Sequence, residues 1–228
     1  MHLGEAPFRD REEAGQQLAE RLTPYRDENP IVLALPRGGV PVGYELARAL
    51  GAPLDVVVAR KLGAPHQPEL GIGAVAPGGV QVVDEELLLW LDVPEEQLES
   101  MAREETAEVE HRMRLFRGER PEPEVRDSTV ILVDDGIATG VTARAAIEYL
   151  LQQEPRRLVL AAPVCAAETA EALRYEVDEL ICLEMPPDLR AIGFWYQNFE
   201  QISDEEVVRI LERARGEPGG ELREAGAS

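Results

Sequence analysis

The chain of 228 residues carries 44 acidic against 23 basic side chains, a formal net charge of −21, and 44% of it is hydrophobic. That length suits one α/β domain with attachments, or at most two small domains, and lets about 70% of the unfolded surface be buried without disulfide or metal staples. A surface of that sign repels nucleic acid, so nonspecific nucleic-acid binding is excluded and any phosphate site has to be built locally. Cys165 and Cys182 form neither a CxxC nor a metal-ligand spacing, and His2, His66 and His111 lie far apart in sequence. The cysteines read as reduced core or strand residues of a cytosolic protein. No run approaches the roughly 18 apolar residues of a membrane span. The first residues, with Glu5, Arg9, Asp10 and Arg11, show no apolar leader. The expectation is a soluble, cytoplasmic chain with no membrane partner.

In chain order, Asp10 can cap a helix running to about Leu22, with Ala14, Leu18 and Leu22 on one apolar face and Pro24 closing it. Residues 31–35 form a buried strand. Pro36-Arg37-Gly38-Gly39 then leads into a helix over 40–50 with Pro41 in its first turn. Strand, Gly-rich turn and helix in that order make a candidate anion site, because unpaired N–H groups and the positive end of the helix dipole meet there. A Gly pair also marks ordinary turns, so this signal gains weight only from a partner elsewhere. Residues 54–59 are a third buried run, and Lys61 just beyond it is the only lysine of the chain. Codon usage can account for that scarcity, yet a single amine at a strand end invites a chemical reading. Residues 63–73, punctuated by Gly and Pro and holding His66 and Glu69, read as a long loop of the kind that is functional or mobile. Residues 72–76 and 80–83 read as a strand pair around Pro77-Gly78-Gly79.

Two helices follow, over 84–90 and 94–116. Leu98, Met101, Val109, Met113 and Phe116 give the second an apolar stripe suited to packing, or to a contact between copies in a homo-oligomer. A Pro-bearing connector enters the central stretch. Val130, Ile131, Leu132 and Val133 read as a strand buried on both faces, followed by Asp134 and Asp135. Gly136-Ile137-Ala138-Thr139-Gly140-Val141-Thr142 then open a helix over 143–151. This is a second anion-binding junction, with Thr139 and Thr142 as hydroxyl donors. Carboxylates beside a phosphate repel it unless something lies between them, and a ribose 5-phosphate meets that need: its vicinal hydroxyls donate to the acids and its phosphate takes the loop. An acid pair at a strand end also fits a Walker B or response-regulator magnesium site, although G-x-x-x-x-G-K-[ST] occurs nowhere in the chain. A plain surface acid pair is the remaining reading.

Residues 157–164 and 179–183 read as strands with a helix over 168–175 between them. Alternation of this kind predicts a parallel sheet with ligands at the carboxyl ends of its strands. Residues 185–202 break the pattern and concentrate Phe194, Trp195, Tyr196 and Phe199. Ser203 with Glu206 makes a capping box for a last helix to about Ala214. From Gly216 onward the Gly- and Glu-rich composition predicts a disordered tail.

The stretch from Val130 to Thr142 resembles the 5-phosphoribosyl-1-pyrophosphate (PRPP) binding motif of the type I phosphoribosyltransferases: apolar strand, acid pair, then a Thr- and Gly-bearing loop. Val141 departs from it, standing where many members carry a second Gly. The resemblance covers roughly residues 31–203 in element order. It implies an α/β fold with a parallel sheet flanked by helices, as one domain over about 1–215. A helical insertion lies at about 84–117 and a small C-terminal hood at about 184–203. It also implies that Gly136 to Thr142 hold the 5-phosphate and Asp134 and Asp135 the ribose. Arg37, Gly38 and Gly39 correspond to the loop that receives the pyrophosphate, often through a non-proline cis peptide. Lys61 takes the place of the basic residue at the start of a flexible catalytic loop.

By the same resemblance, Phe194, Trp195 and Tyr196 form a hood that stacks on the acceptor ring. Aromatics there also suit a plain anchor for the last helix. The implied reaction displaces magnesium pyrophosphate from PRPP by a nitrogen of a base, through a transition state like an oxocarbenium ion. Mg2+ is the implied cofactor, held chiefly by PRPP and water near Asp134 and Asp135 with no protein ligand directly assigned. Two alternatives stay open, a noncatalytic PRPP or nucleotide sensor and a PRPP-directed hydrolase. A sensor has no need of Lys61 or a closing loop.

Overall fold

Short apolar runs decide the frame of the computed structural model, which describes residues 6–118 and 120–220. Ile31–Ala34 (β1), Leu54–Val56 (β2), Thr129–Val133 (β6), Arg157–Val164 (β7) and Glu179–Glu184 (β8) form a five-stranded sheet in the order β2-β1-β6-β7-β8. All its pairings are parallel. Every residue of β1, β2 and β6 is buried, as expected of strands covered on both faces.

The two faces have separate cores. Val32, Ala34, Val56, Ile131, Val133 and Val159 pack with Leu18 and Leu22 of Arg11–Leu22 (α1), Val42 and Leu46 of Gly39–Leu50 (α2) and Val207 and Leu211 of Asp204–Arg215 (α7). Leu33, Val130, Leu132, Leu158 and Leu160 pack on the other face with Ala146, Ile147 and Leu150 of Val141–Leu151 (α5) and with Leu173 of Ala167–Leu173 (α6). Capping follows the sequence: Asp10 accepts from the Glu13 amide and Ser203 from the Glu206 amide.

Between β2 and β6 the expectations need correcting. The third apolar run is a strand only over β2, and residues 57–59 leave the sheet. The stretch 63–73 is no open loop. Arg60–Ala64 (β3), Gln67–Val75 (β4) and Gln81–Val83 (β5) form a three-stranded antiparallel ribbon, turning at Pro65 and His66. Leu62, Ala64, Ile72 and Ala74 are buried beneath it, an alternation that the interleaved Gly63, Gly71 and Gly73 hide from a reading of apolar runs. Gly73 is small for a reason, since a Cβ there meets the Val82 carbonyl at 2.5 Å.

Glu85–Trp90 (α3) and the 23-residue Glu95–Arg117 (α4) follow the ribbon. The Arg117 guanidinium at the end of α4 is buried against Asp55 at 2.9 Å. Burial pushes the Asp55 carboxyl above its ordinary range while Arg117 opposes the shift. Residues 216–220, expected to be disordered, lie against the fold: Glu217 accepts from the Tyr44 hydroxyl, and Gly219 approaches Gly51 closely. The remainder of that expected tail, residues 221–228, lies outside the described residues.

Candidate active site

The strand order has one reversal. From β1 the chain passes by α2 to β2 on one side, whereas β6, β7 and β8 extend the sheet on the other. A crevice therefore opens at the carboxyl ends of β1 and β6, where an open α/β sheet takes its ligands. The loops after those two strands are 36–39 and 134–140, and they touch each other. The position of a Cβ on Gly38 coincides with the Asp135 carboxylate, and a Cβ on Gly39 meets the Val133 carbonyl at 2.7 Å and Asp134 Cα at 3.0 Å. Only glycine lets the first loop lie this close to the acids. The Pro36–Arg37 peptide bond is cis.

In the second loop, Ile137 is pinned by its amide to the Val164 carbonyl at 2.9 Å and by its carbonyl to the Ala166 amide at 2.9 Å. The Ala138 carbonyl accepts from the Thr169 hydroxyl at 2.6 Å. Gly140, with φ of 73°, turns the chain into α5 in the left-handed region, so a side chain there is strained. Among the described residues, the amides of Ala138, Thr139 and Gly140 donate to no protein acceptor. The first turn of α5, carrying Val141 and Thr142, adds the unpaired N–H groups of any helix start. Thr139 is exposed and Thr142 half-buried, so neither hydroxyl is withdrawn from solvent. This nest of amides is a ready site for an anion.

Asp134 accepts the Asp135 amide at 2.8 Å. Burial, then the charge of Asp135, pushes its carboxyl well above the ordinary 3.8, although the residue keeps an exposed edge. Asp135 is buried, and burial raises it too, but Arg11 opposes the shift with an ion pair of 2.7 Å. Arg11 went unnoticed in the sequence because it lies 124 residues away and looks like one more charge on a surface helix.

The other expected residues are placed unequally. Arg37 leans toward α7, its Nη1 3.8 Å from Asp204 Oδ1 and beyond hydrogen-bond reach. Lys61 lies on β3, half-exposed, and its ammonium donates to the Glu69 carbonyl at 3.0 Å. Its stem flanks Gly71, whose other neighbour is Val141: a Cβ on Gly71 is 3.1 Å from Lys61 Cδ and 3.9 Å from Val141 Cγ1. The ribbon thus leans on the start of α5, beside the anion nest.

The aromatic segment divides. Phe194 is 73% exposed and Trp195 is half-buried. Tyr196 corrects the hood expectation, since it is 4% exposed. It packs between Phe8 and Phe199, and its hydroxyl donates to the Asp135 carbonyl at 2.6 Å. It presents no ring face to a ligand, and burial raises its hydroxyl pKa. Ile192, which composition could not single out, packs on Gly136, the residue after the acid pair: its Cγ2 lies 2.5 Å from the place of a Cβ there.

Among the described residues no group of three or more His, Cys, Asp or Glu side chains converges to hold a metal. No helix of the described residues is long and apolar enough to cross a membrane.

Residues 9–197 match the family model of the phosphoribosyl transferase domain. The chain belongs to that family. This phosphoribosyl transferase domain is 40% identical over 220 residues to proteins of two Mycobacterium tuberculosis strains, each named "Putative phosphoribosyl transferase". The match covers 96% of the chain and 49% of theirs, so the chain spans about half the length of the curated relatives it matches. It is also similar to the crystal structure of the protein TT1426 from Thermus thermophilus, with 42% identity and a TM-score of 0.77. That match covers 90% of this chain and 98% of the other. The crevice at β1 and β6 falls within the residues matched to the family, and so do Arg11, Lys61 and the aromatic segment up to Tyr196.

Proposed function

We propose that the chain transfers the 5-phosphoribosyl group of PRPP to a nitrogenous base and releases pyrophosphate. The observation that carries this reading is the contact between the two loops at the switch point. An amide nest for one phosphate and a Gly-lined turn for a second anion flank a pair of carboxylates. A ribose that bears phosphate on its 5-carbon and diphosphate on its anomeric carbon has that distribution of charge. Asp134 and Asp135 accept its hydroxyls, Gly136 to Thr142 take the 5-phosphate, and the amides of Gly38 and Arg37 face the diphosphate. Negative charge beside the ribose stabilises the positive charge that develops as the anomeric bond breaks. Asp134 and Asp135 are the residues beside which Mg2+ would be held, and a bound ion would supply neutralisation of the leaving diphosphate's charge. Phe194, exposed, and Trp195, half-buried, are the aromatics after β8 assigned to an acceptor ring in this reading.

The test incubates the protein with PRPP, Mg2+ and a panel of purine and pyrimidine bases, with chromatography of nucleotide and pyrophosphate. One nucleotide formed in step with pyrophosphate is expected. PRPP at about 100 times its Kd should also stabilise the fold by about 2.7 kcal/mol. Pyrophosphate release with ribose 5-phosphate and no nucleotide points to hydrolysis, and a melting point indifferent to millimolar PRPP refutes the site altogether.

Lys61 gives a second check. Its ammonium has donors to spare beyond the Glu69 carbonyl, and acting on the leaving diphosphate it contributes mainly in the transition state, where that charge develops. Lys61→Ala is expected to lower kcat about 100-fold with little change in PRPP affinity. Unchanged turnover would return Lys61 to being a strand residue tied to its neighbour.

A further inference from the structure

Arg11 is the first residue of α1, yet only 9% of its surface is exposed. A cation at the amino end of a helix opposes the helix dipole, and a guanidinium withdrawn from water is tolerated only when paired and hydrogen-bonded. Local propensity therefore gives no reason for it, and its contacts do. Its Nε donates to Asp135 Oδ2 at 2.7 Å and its Nη1 to the Glu200 carbonyl at 2.8 Å. The guanidinium carbon lies 3.8 Å from the centroid of the Phe199 ring. From the same segment, the Tyr196 hydroxyl holds the Asp135 carbonyl. One side chain thus joins the amino-terminal helix, the second acid and the segment that follows β8.

Gly38 adds a constraint from the opposite side, since its α-carbon faces the carboxylate that Arg11 grips. Asp135 cannot turn without displacing either the Gly38 loop or Arg11. Among the described residues no amide, guanidinium or alcohol donates to its Oδ1, and the one other side chain in hydrogen-bond contact with this carboxylate is Asp134. We infer that Arg11 is a positioning residue for substrate selection: by fixing Asp135 through Oδ2 it presents Oδ1 to a sugar hydroxyl, so the protein distinguishes ribose from deoxyribose phosphates. This rests on the function proposed above. It concerns a residue 124 positions away that touches no substrate itself.

The experiment measures the affinities of ribose 5-phosphate and 2-deoxyribose 5-phosphate by calorimetry, with melting points, for the parent, Arg11→Lys and Arg11→Met. In the parent the ribose ester is expected to bind about tenfold more tightly, the value of one hydrogen bond to a charged acceptor. Arg11→Met leaves a buried carboxylate unpaired and removes that preference. Arg11→Lys keeps a charge but loses the fixed fork, so it should recover part of the preference and serves alone if Arg11→Met does not fold. A residue that only stabilises the fold lowers both affinities in step and leaves their ratio unchanged. A parent that discriminates, with variants that keep the full ratio, overturns the inference while the function reading stands. A parent that binds neither ester nor PRPP overturns both.

Discussion

Asp134→Asn is expected to make the protein more stable at neutral pH and nearly inactive. The carboxyl of Asp134 is held above its ordinary 3.8 by burial and by the neighbouring charge of Asp135. Between 3.8 and that raised value the native chain retains a proton that the unfolded chain has lost. Stability from this group is therefore full below 3.8, falls as pH rises through the window, and levels off above it. Each unit of separation is worth about 1.4 kcal/mol. Asparagine has the same shape and still accepts the Asp135 amide, but it never carries the charge. Denaturation at pH 4 and pH 8 should show parent and variant close together at the lower value, with the variant ahead at the higher. Turnover should drop about 100- to 1,000-fold, the scale seen when one electrostatic stabiliser of a transition state is removed. A variant less stable than the parent at pH 8 would show that the acid pair is a structural asset, contrary to the role proposed for it.

Much of this frame was legible because its signals are local. The buried runs at 31–34 and 129–133, the caps Asp10 and Ser203, and Gly140 with its left-handed backbone each carry their meaning within a few residues. Chain order alone then placed both anion loops at the carboxyl ends of strands, because parallel strands allow little else. What escaped depends on distance or on glycine. The β3–β4 ribbon hides its alternation in Leu70-Gly71-Ile72-Gly73-Ala74, where small residues meant for close strand contact read as loop punctuation. Arg11 and Tyr196 take their roles from partners 124 and 61 positions away, contacts that no window along the chain contains. Four aromatics close together suggested a stacking hood, but only the fold shows that Tyr196 is an internal prop for Asp135.

Gly38→Ala carries the other large effect, and it tests whether the two loops form one site. Gly38 has φ of −63° and ψ of −33°, a conformation that alanine adopts freely, so the backbone gives no reason for glycine there. The reason is the Asp135 carboxylate, which occupies the place of the added methyl. Asp135 cannot retreat, because Arg11 grips it and Tyr196 holds its backbone. Overpacking of this kind costs about 1 to 3 kcal/mol. The carboxylate that shifts to make room no longer meets a ribose hydroxyl, so stabilisation by PRPP should be lost as well. Gly51→Ala is the control: its Cβ meets nothing within 4 Å and its φ of 64° supplies ordinary strain, so it should weaken the fold yet keep the PRPP response. A cycle with Asp135→Ala completes the test. If the clash is the cause, Gly38→Ala costs much less once Asp135 is alanine, and the two changes depart from additivity by about 0.5 to 3 kcal/mol. Strictly additive costs would mean that the loops are neighbours without being coupled, and the shared anion site would lose its geometric basis.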